Sequence, residues 1–203
     1  MEGFVGWPED LAARYRATGL WEGVTVGEMV ARSARRWPGK VALVHGDERL
    51  TYAALLARCR DRAARLAGLG LRPGDLAVMQ LPNGIEFVVS YLALNLIGVV
   101  PVMALRAHRQ AEVRHFLRAS GATAYLIPDV VGGFDFRVMA GQMQAEFPGL
   151  KHVLVAGEPE RAHRARRTAE GVPVDATTWQ EILAAAGKLG VDPAAVQATA
   201  LGA

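Results

Sequence analysis

Residues 76–105 read LAVMQLPNGIEFVVSYLALNLIGVVPVMAL, and this stretch decides the fold. Its first six residues form a short apolar run after the turn 72–75, which predicts a buried strand. Residues 85–97 form a longer apolar run that is typical of a buried helix. Gly98 and Pro101 end that helix, and the valines at 99, 100 and 102 favour a second strand. The order strand, helix, strand predicts two parallel strands joined by a helix.

A transmembrane helix is the main alternative for part of this stretch. Residues 87–105 contain no charged residue and number 19, close to the roughly 20 that a membrane-spanning helix needs. Gly98 and Pro101 interrupt the run after about three helical turns, as helix breakers do. We therefore reject a membrane span and expect no membrane partner.

The same alternation continues downstream of this stretch. Short β-rich runs alternate with helical runs, which predicts right-handed crossovers and a mainly parallel sheet covered on both faces. The predicted strands are Leu76–Leu81, Val99–Leu105, Ala122–Ile127 and Lys151–Ala156, and the helices between them are Ile85–Ile97, Gln110–Ser120 and Phe136–Glu146. The fold class is therefore α/β with three layers.

A helical extension and a β-hairpin precede this sheet. We predict one helix capped by Asp10 and ended by Gly19, then a second helix with a Thr25/Glu28 capping box that reaches Trp37. The runs 41–44 and 49–52 flank a Gly-Asp turn and predict the hairpin. Thr51 is the expected cap of a long helix, Tyr52–Leu69. These features divide the chain into residues 1–38, the helical extension, and 39–157, the α/β subdomain.

Residues 158–203 have a different character. We predict a charged linker, a short helix over Trp179–Ala186 and a disordered tail without stable structure beyond Leu189. The linker holds an arginine cluster at 161, 164, 166 and 167. Because glutamates at 158, 160 and 170 flank the cluster, we read it as a solvated loop and expect no nucleic-acid partner.

Composition and cysteine usage narrow the class of protein. The formal net charge is +3 and the charged fraction is 21%, which is ordinary for a globular protein. Cys59 is the single cysteine, so an internal disulfide is impossible, and its helical neighbours predict a buried thiol. Residues 1–10 show no basic segment followed by an apolar run, so a cytoplasmic location is expected.

Sequence motifs for chemistry are sparse. No glycine-rich phosphate loop and no nucleophile elbow is present. His108, Glu112 and His115 have the spacing i, i+4, i+7, which on one helix face suits Zn²⁺. Arginines at 109, 114 and 118 would repel a dication, so we predict that no metal binds and that Glu112 pairs with a neighbouring arginine. A small metal-dependent hydrolase built on His108 and His115 is the least favoured alternative.

Four segments together resemble the adenylate-forming superfamily of ligases. The first, Leu50–Leu55, continues through Leu66–Ala67 to a second, Gly70–Asp75. The third is Val78–Asn83 with Glu86–Phe87, and the fourth runs from Tyr91–Leu94 to Gly98–Val102. Trp7, Tyr15, Gly19 and Trp21, with Ala104–Leu105 and Ala107–Arg109, look most like the ligases that activate 2,3-dihydroxybenzoate and salicylate in siderophore biosynthesis. Arg106 departs from that pattern, because a proline is common there. The resemblance covers about residues 4–156.

The resemblance implies a two-step reaction. A carboxylate and ATP give an acyl-AMP and pyrophosphate, with Mg²⁺, and a carrier-protein thiol then accepts the acyl group. The family's phosphate loop, nucleotide motifs, catalytic lysine and acyl pocket are expected beyond residue 203. We therefore assign no catalytic, cofactor-binding or metal residue, and expect the chain alone to be inactive. The alternatives are an acyl-coenzyme A ligase fragment and a non-catalytic interaction module that binds the remainder of a ligase, a carrier protein or its own copy.

Overall fold

The structure is a computed structural model that describes residues 5–156, 171 and 174–201. The chain divides into two compact units, residues 1–157 and 158–203. The arginine cluster at 161–167 lies outside the described residues. Among those described, no helix is both long enough and apolar enough to cross a membrane. The proposed three-part division, 1–38, 39–157 and 158–203, stays a prediction.

Two helices begin the first unit, α1 (Glu9–Ala17) and α2 (Val26–Arg36). The predicted capping box is confirmed, since the Glu28 N–H donates to Thr25 Oγ1 at 3.2 Å and the Thr25 N–H donates to Glu28 Oε2 at 2.7 Å. The predicted role of Asp10 is wrong. Pro8 is the N-cap of α1 and Asp10 lies inside its first turn, where a carboxylate still interacts favourably with the helix dipole.

The predicted hairpin and the helix after it are confirmed. Strands β1 (Val41–His45) and β2 (Glu48–Thr51) pair antiparallel, and Gly46 adopts φ 58° in the turn between them. Helix α3 (Tyr52–Gly68) follows directly, and Thr51 Oγ1 accepts a hydrogen bond from the Ala54 N–H at 3.2 Å.

The remaining elements of the first unit alternate between strands and helices. In chain order they are β3 (Leu76–Met79), α4 (Ile85–Leu96), β4 (Val100–Met103), α5 (Gln110–Ser120), β5 (Ala124–Ile127), β6 (Val130–Val131), β7 (Phe134–Asp135), α6 (Phe136–Glu146) and β8 (His152–Val155). Four strands form one parallel sheet in the order β4-β3-β5-β8. All four predicted strands are confirmed, each slightly shorter than its predicted range.

Two buried clusters fill the space on either side of this sheet. Val78 and Tyr125 pack with side chains of α5 and α6, whereas Ala77 and Met79 pack with side chains of α3 and α4. Neighbouring residues of β3 thus point to opposite faces, as strand geometry requires. The result is the predicted three-layer α/β arrangement.

Two features differ from the sequence-based expectation. The small antiparallel pair β6 and β7 was not predicted; Gly132 and Gly133 connect its strands at φ 59° and 77°. In the second unit, α7 (Ala176–Lys188) extends beyond both ends of the predicted short helix, Trp179–Ala186.

The tail is also helical where no stable structure was expected, because α8 spans Pro193–Leu201. The Asp192 carboxylate accepts a hydrogen bond from the Ala194 N–H at 2.9 Å, and Pro193 occupies the first helical position, where proline is well tolerated. An alanine-rich sequence then continues the helix.

Candidate functional site

The carboxyl ends of the strands form the edge of the sheet where a ligand is expected. From β3 the chain crosses to β4 on one side, and from β5 it crosses to β8 on the other. This reversal is a topological switch point, and ligands of open α/β sheets bind outside the carboxyl ends at such points. The segments that leave this edge are 80–83 after β3, 104–109 after β4 and 128–129 after β5.

Gln80 joins three parts of this edge. Its side chain is fully buried. The amide nitrogen donates to the backbone carbonyls of Leu105 at 2.8 Å and His108 at 2.9 Å, and the amide oxygen accepts a hydrogen bond from the Tyr125 hydroxyl. Burial raises the pKa of the Tyr125 hydroxyl, so it remains a donor at neutral pH. The pair connects the end of β3, the strand β5 and the segment after β4.

Two further contacts fix the segment 105–109. His108 Nδ1 accepts a hydrogen bond from the Leu105 N–H at 3.1 Å. The Arg109 guanidinium donates to the carbonyls of Arg106 and His108, both at 2.8 Å, and lies 4.1 Å from the centre of the Phe134 ring. We call residues 105–109 the clamped loop, since Gln80, His108 and Arg109 together determine its backbone.

The three residues that had metal-like spacing do not lie on one helix. Helix α5 begins at Gln110, so His108 precedes it and the shared helix face does not exist. Glu112 Oε2 accepts a hydrogen bond from the Arg109 backbone N–H at 2.9 Å, which lowers the pKa of that carboxyl. This hydrogen bond joins Glu112 to the backbone of Arg109 and not to its guanidinium.

The side chain of His115 lies beside the ring of Phe116, with centroids 6.0 Å apart. No group of three or more His, Cys, Asp or Glu side chains with metal-binding geometry occurs within the described ranges. That these three residues bind no metal stays a prediction.

A groove of about 480 Å³ opens beside the clamped loop. Its lining comes from the segment 81–83 after β3, the segment 103–106 at the end of β4, and Phe87 of α4. Most of these side chains are apolar, and Asn83 and Arg106 add an amide and a guanidinium. Such a lining can hold an aromatic or aliphatic group with a polar substituent, but it contains neither a nucleophile nor a carboxylate.

A larger cavity of about 750 Å³ lies near α1 and α2. Trp21 and Met29 line it, and its charged side chains include the ion pair between Arg32 and Glu22. This cavity is remote in sequence from the strand ends, and both charges of that pair are exposed. We place the candidate site at the smaller groove because it lies at the carboxyl ends of β3 and β4.

Sequence reasoning assigned no site residue and missed the Gln80 network. The one available indication was a single amide within the apolar run 76–81. A buried amide needs hydrogen-bond partners, but the sequence does not reveal that they are Tyr125 and the clamped loop, 25 to 45 residues downstream.

Comparison with known proteins identifies related sequences and folds. The family model described as AMP-binding enzyme matches residues 30–176. The salicyl-AMP ligase / salicyl-S-ArCP synthetase of Mycobacterium tuberculosis is 46% identical over 162 residues, which cover 77% of this chain and 29% of that protein. The 2,3-dihydroxybenzoate-AMP ligase of Bacillus subtilis is 39% identical, covering 79% of this chain and 30% of that protein.

The apo structure of MbtA from Mycobacterium smegmatis has a similar fold. The TM-score is 0.71 and the sequence identity 39%, over 78% of this chain and 29% of that one. The chain thus spans about 30% of the length of these relatives.

Proposed function

We propose, because this chain belongs to the AMP-binding enzyme family, that it is part of a ligase that activates salicylate or 2,3-dihydroxybenzoate with ATP. The observation that carries the proposal is the geometry of the carboxyl edge. The segment 80–83 and the clamped loop, which lie within the matched region, meet there through Gln80 and border a groove suited to an aromatic ring.

The reaction proposed for the complete protein has two steps. A carboxylate oxygen of the aryl acid attacks the α-phosphorus of ATP, forming an acyl-AMP and releasing pyrophosphate. The thiol sulfur of an aryl carrier protein then attacks the acyl carbon, and AMP leaves. The described residues include no group of three or more His, Cys, Asp or Glu side chains that could hold a metal ion, so the proposal assigns no Mg²⁺ ligand to them.

This chain contributes scaffold to that reaction. Stabilising a transferring phosphoryl group requires positioned cations and backbone donors around it. The groove offers apolar side chains, one amide and one guanidinium instead. Its role in the proposal is to hold the clamped loop and one wall of the groove, and we propose that residues 1–203 alone do not catalyse adenylation.

The edge strand β4 supports a packing role for the chain. β4 ends the order β4-β3-β5-β8 of the described sheet. Val100 and Met103 of this strand are 42% and 46% exposed, and an apolar edge of this kind is prone to pair with another chain. We propose that the remainder of the ligase covers this edge, and that isolated residues 1–203 self-associate through it. Sedimentation of the isolated chain should show dimers that Met103→Glu reduces.

A chimera tests the proposed activity. The matching segment of the salicyl-AMP ligase of Mycobacterium tuberculosis is replaced by the corresponding residues of this chain, and salicylate-dependent exchange of labelled pyrophosphate into ATP is measured. We expect exchange from the chimera and none from residues 1–203 alone. A folded chimera without exchange would contradict the proposed activity, and acid-dependent exchange by the isolated chain would contradict its non-catalytic role.

Two variants of the chimera test whether the clamp matters. Gln80→Met should lower exchange at least tenfold, because the loop beside the groove loses its anchor. Arg60→Gln is the matched control, since Arg60 is an exposed residue of α3. Equal exchange from both variants would show that the Gln80 contacts to the clamped loop do not contribute to activity.

The acceptor needs a separate assay. Transfer of labelled salicylate to the thiol of an aryl carrier protein is compared with transfer to coenzyme A. Faster transfer to the carrier protein is expected, and the reverse result would favour the acyl-coenzyme A alternative.

A further inference from the structure

A second cavity lies at the opposite edge of the sheet, where the strands begin. Its volume is about 390 Å³, and the residues around it include Arg72, Asp75, Thr123, Lys151 and His152. Asp75 directly precedes β3, Thr123 precedes β5, and Lys151 precedes β8. This cavity is therefore separated from the groove by the length of the strands, about 13 Å for four residues.

Backbone hydrogen bonds hold one side of this cavity. The carbonyl of Thr123 accepts from the N–H groups of Lys151 at 2.9 Å and His152 at 3.1 Å, and the Thr123 N–H donates to the Leu76 carbonyl at 2.9 Å. The positions of the Lys151 and Thr123 backbones are thus fixed relative to each other by the sheet.

Hydrogen bonds also hold the turn 72–75, which carries Arg72 on the other side of the cavity. Asp75 Oδ2 accepts a hydrogen bond from the Arg72 N–H at 2.8 Å, and the Gly74 N–H donates to the Gly98 carbonyl at 2.8 Å. The Asp75 carbonyl accepts from the Val100 N–H at 2.8 Å. Both segments are therefore attached to strand ends, which fixes the backbone at Arg72 and Lys151, whereas the two residues themselves are exposed.

The residues that line this cavity carry more positive than negative charge. Arg72 and Lys151 form no ion pair with any described residue. Asp75 is the acidic lining residue, and one of its oxygens is already bound to the Arg72 N–H. Two cations, both on exposed residues, against one carboxylate leave a net positive cavity, which attracts an anion.

A buried hydroxyl points to the same kind of ligand. Thr123 Oγ1 is buried and has no hydrogen-bond partner among the described residues. Buried polar atoms are nearly always paired, so an unpaired one calls for an explanation. Thr123 is among the residues that line the cavity, so its hydroxyl is a candidate donor to an anion that the two cations attract.

We propose that this cavity binds a small oxyanion of the phosphate class. Arg72 and Lys151 supply charge-assisted hydrogen bonds, and the Thr123 hydroxyl donates one more. The phosphate can come from free phosphate, from pyrophosphate or from a mononucleotide. The cavity lies at the edge away from the groove, so this binding is separate from the proposed adenylation.

Titration of the full chain with inorganic phosphate tests the proposal. Backbone amide NMR shifts should saturate at Arg72, Thr123, Lys151 and His152, and sodium chloride at equal ionic strength should not reproduce them. The same titration is repeated with pyrophosphate and with AMP. The ligand that binds most tightly of the three identifies which phosphate compound the cavity prefers. Equal shifts with chloride, or shifts spread over all basic residues, would overturn the proposal.

Variants locate the binding in this cavity. Lys151→Gln should weaken phosphate binding about tenfold, whereas Lys188→Gln, in the exposed last turn of α7, should leave it unchanged. Thr123→Val should weaken binding several-fold without lowering the melting temperature of the phosphate-free chain, because the hydroxyl has no partner to lose. Arg72→Gln provides a second cation variant, with circular dichroism to confirm folding. Equal affinity of Lys151→Gln and the unmodified chain would refute the assignment.

Discussion

The Gln80 network allows a quantitative prediction about stability. Replacing Gln80 with Met keeps a similar volume but removes the acceptor of the buried Tyr125 hydroxyl. An unpaired buried hydroxyl costs about 1–3 kcal/mol. The His108 carbonyl keeps its hydrogen bond from the Arg109 guanidinium, and the Leu105 carbonyl keeps its hydrogen bond from the His108 N–H at 3.0 Å. We therefore expect Gln80→Met to lower the free energy of unfolding by about 2–3 kcal/mol.

A double-mutant cycle gives the contribution of the pair itself. Tyr125→Phe removes the hydroxyl and leaves Gln80 Oε1 unpaired, so we expect a loss of about 1–2 kcal/mol. In the double variant Gln80→Met/Tyr125→Phe neither group is left unpaired, and the loss should be smaller than the sum by at least about 1 kcal/mol. Urea unfolding followed by circular dichroism is the assay. A loss below about 0.5 kcal/mol for Gln80→Met, or strictly additive effects, would refute this account.

The remaining predictions concern Gly98 and Cys59. Gly98 has φ 72°, and a Cβ built there would lie 3.0 Å from Pro73 Cβ. Gly98→Ala should therefore lower the free energy of unfolding by about 1–3 kcal/mol. Gly68→Ala is the near-neutral control, because no atom lies within 4 Å of a Cβ built at that position. Burial raises the pKa of the Cys59 thiol to about 11, partly offset by Arg62. The native chain should therefore resist iodoacetamide at pH 8 and react once urea unfolds it, and rapid labelling of the folded chain would contradict the buried position.

The layers of the fold were predictable from the sequence because short-range patterns determine them. The helices α5 and α6 have the predicted bounds, and the strand positions follow from short apolar runs between helices. Thr25 and Thr51 act as the predicted helix caps, since a cap depends on residues only three positions away. Asp10 failed as a cap because Pro8 supplies backbone geometry that starts the helix two residues earlier.

The candidate site was less predictable because it depends on contacts between distant segments. The order β4-β3-β5-β8 places the end of β3 between the loops after β4 and β5, and no local pattern indicates which strands are neighbours. His108 had the right sequence spacing for a helical metal site, but α5 begins two residues after it. The small β6 and β7 pair contains two residues per strand, too few for an alternating pattern to be recognised.

The buried Gln80–Tyr125 pair is better explained by positioning than by stability. Burying an amide and a hydroxyl costs free energy because both groups lose hydrogen bonds to water. The hydrogen bond between them recovers roughly that cost and adds little, so an apolar pair of similar shape can be equally stable. The pair nevertheless lies where β3 ends, and the same amide holds two carbonyls of the clamped loop. An apolar core residue could not determine that backbone. The double variant Gln80→Met/Tyr125→Phe should therefore stay folded while the amides of residues 105–109 exchange with solvent faster. Unchanged exchange there would mean that His108 and Arg109 alone hold the loop.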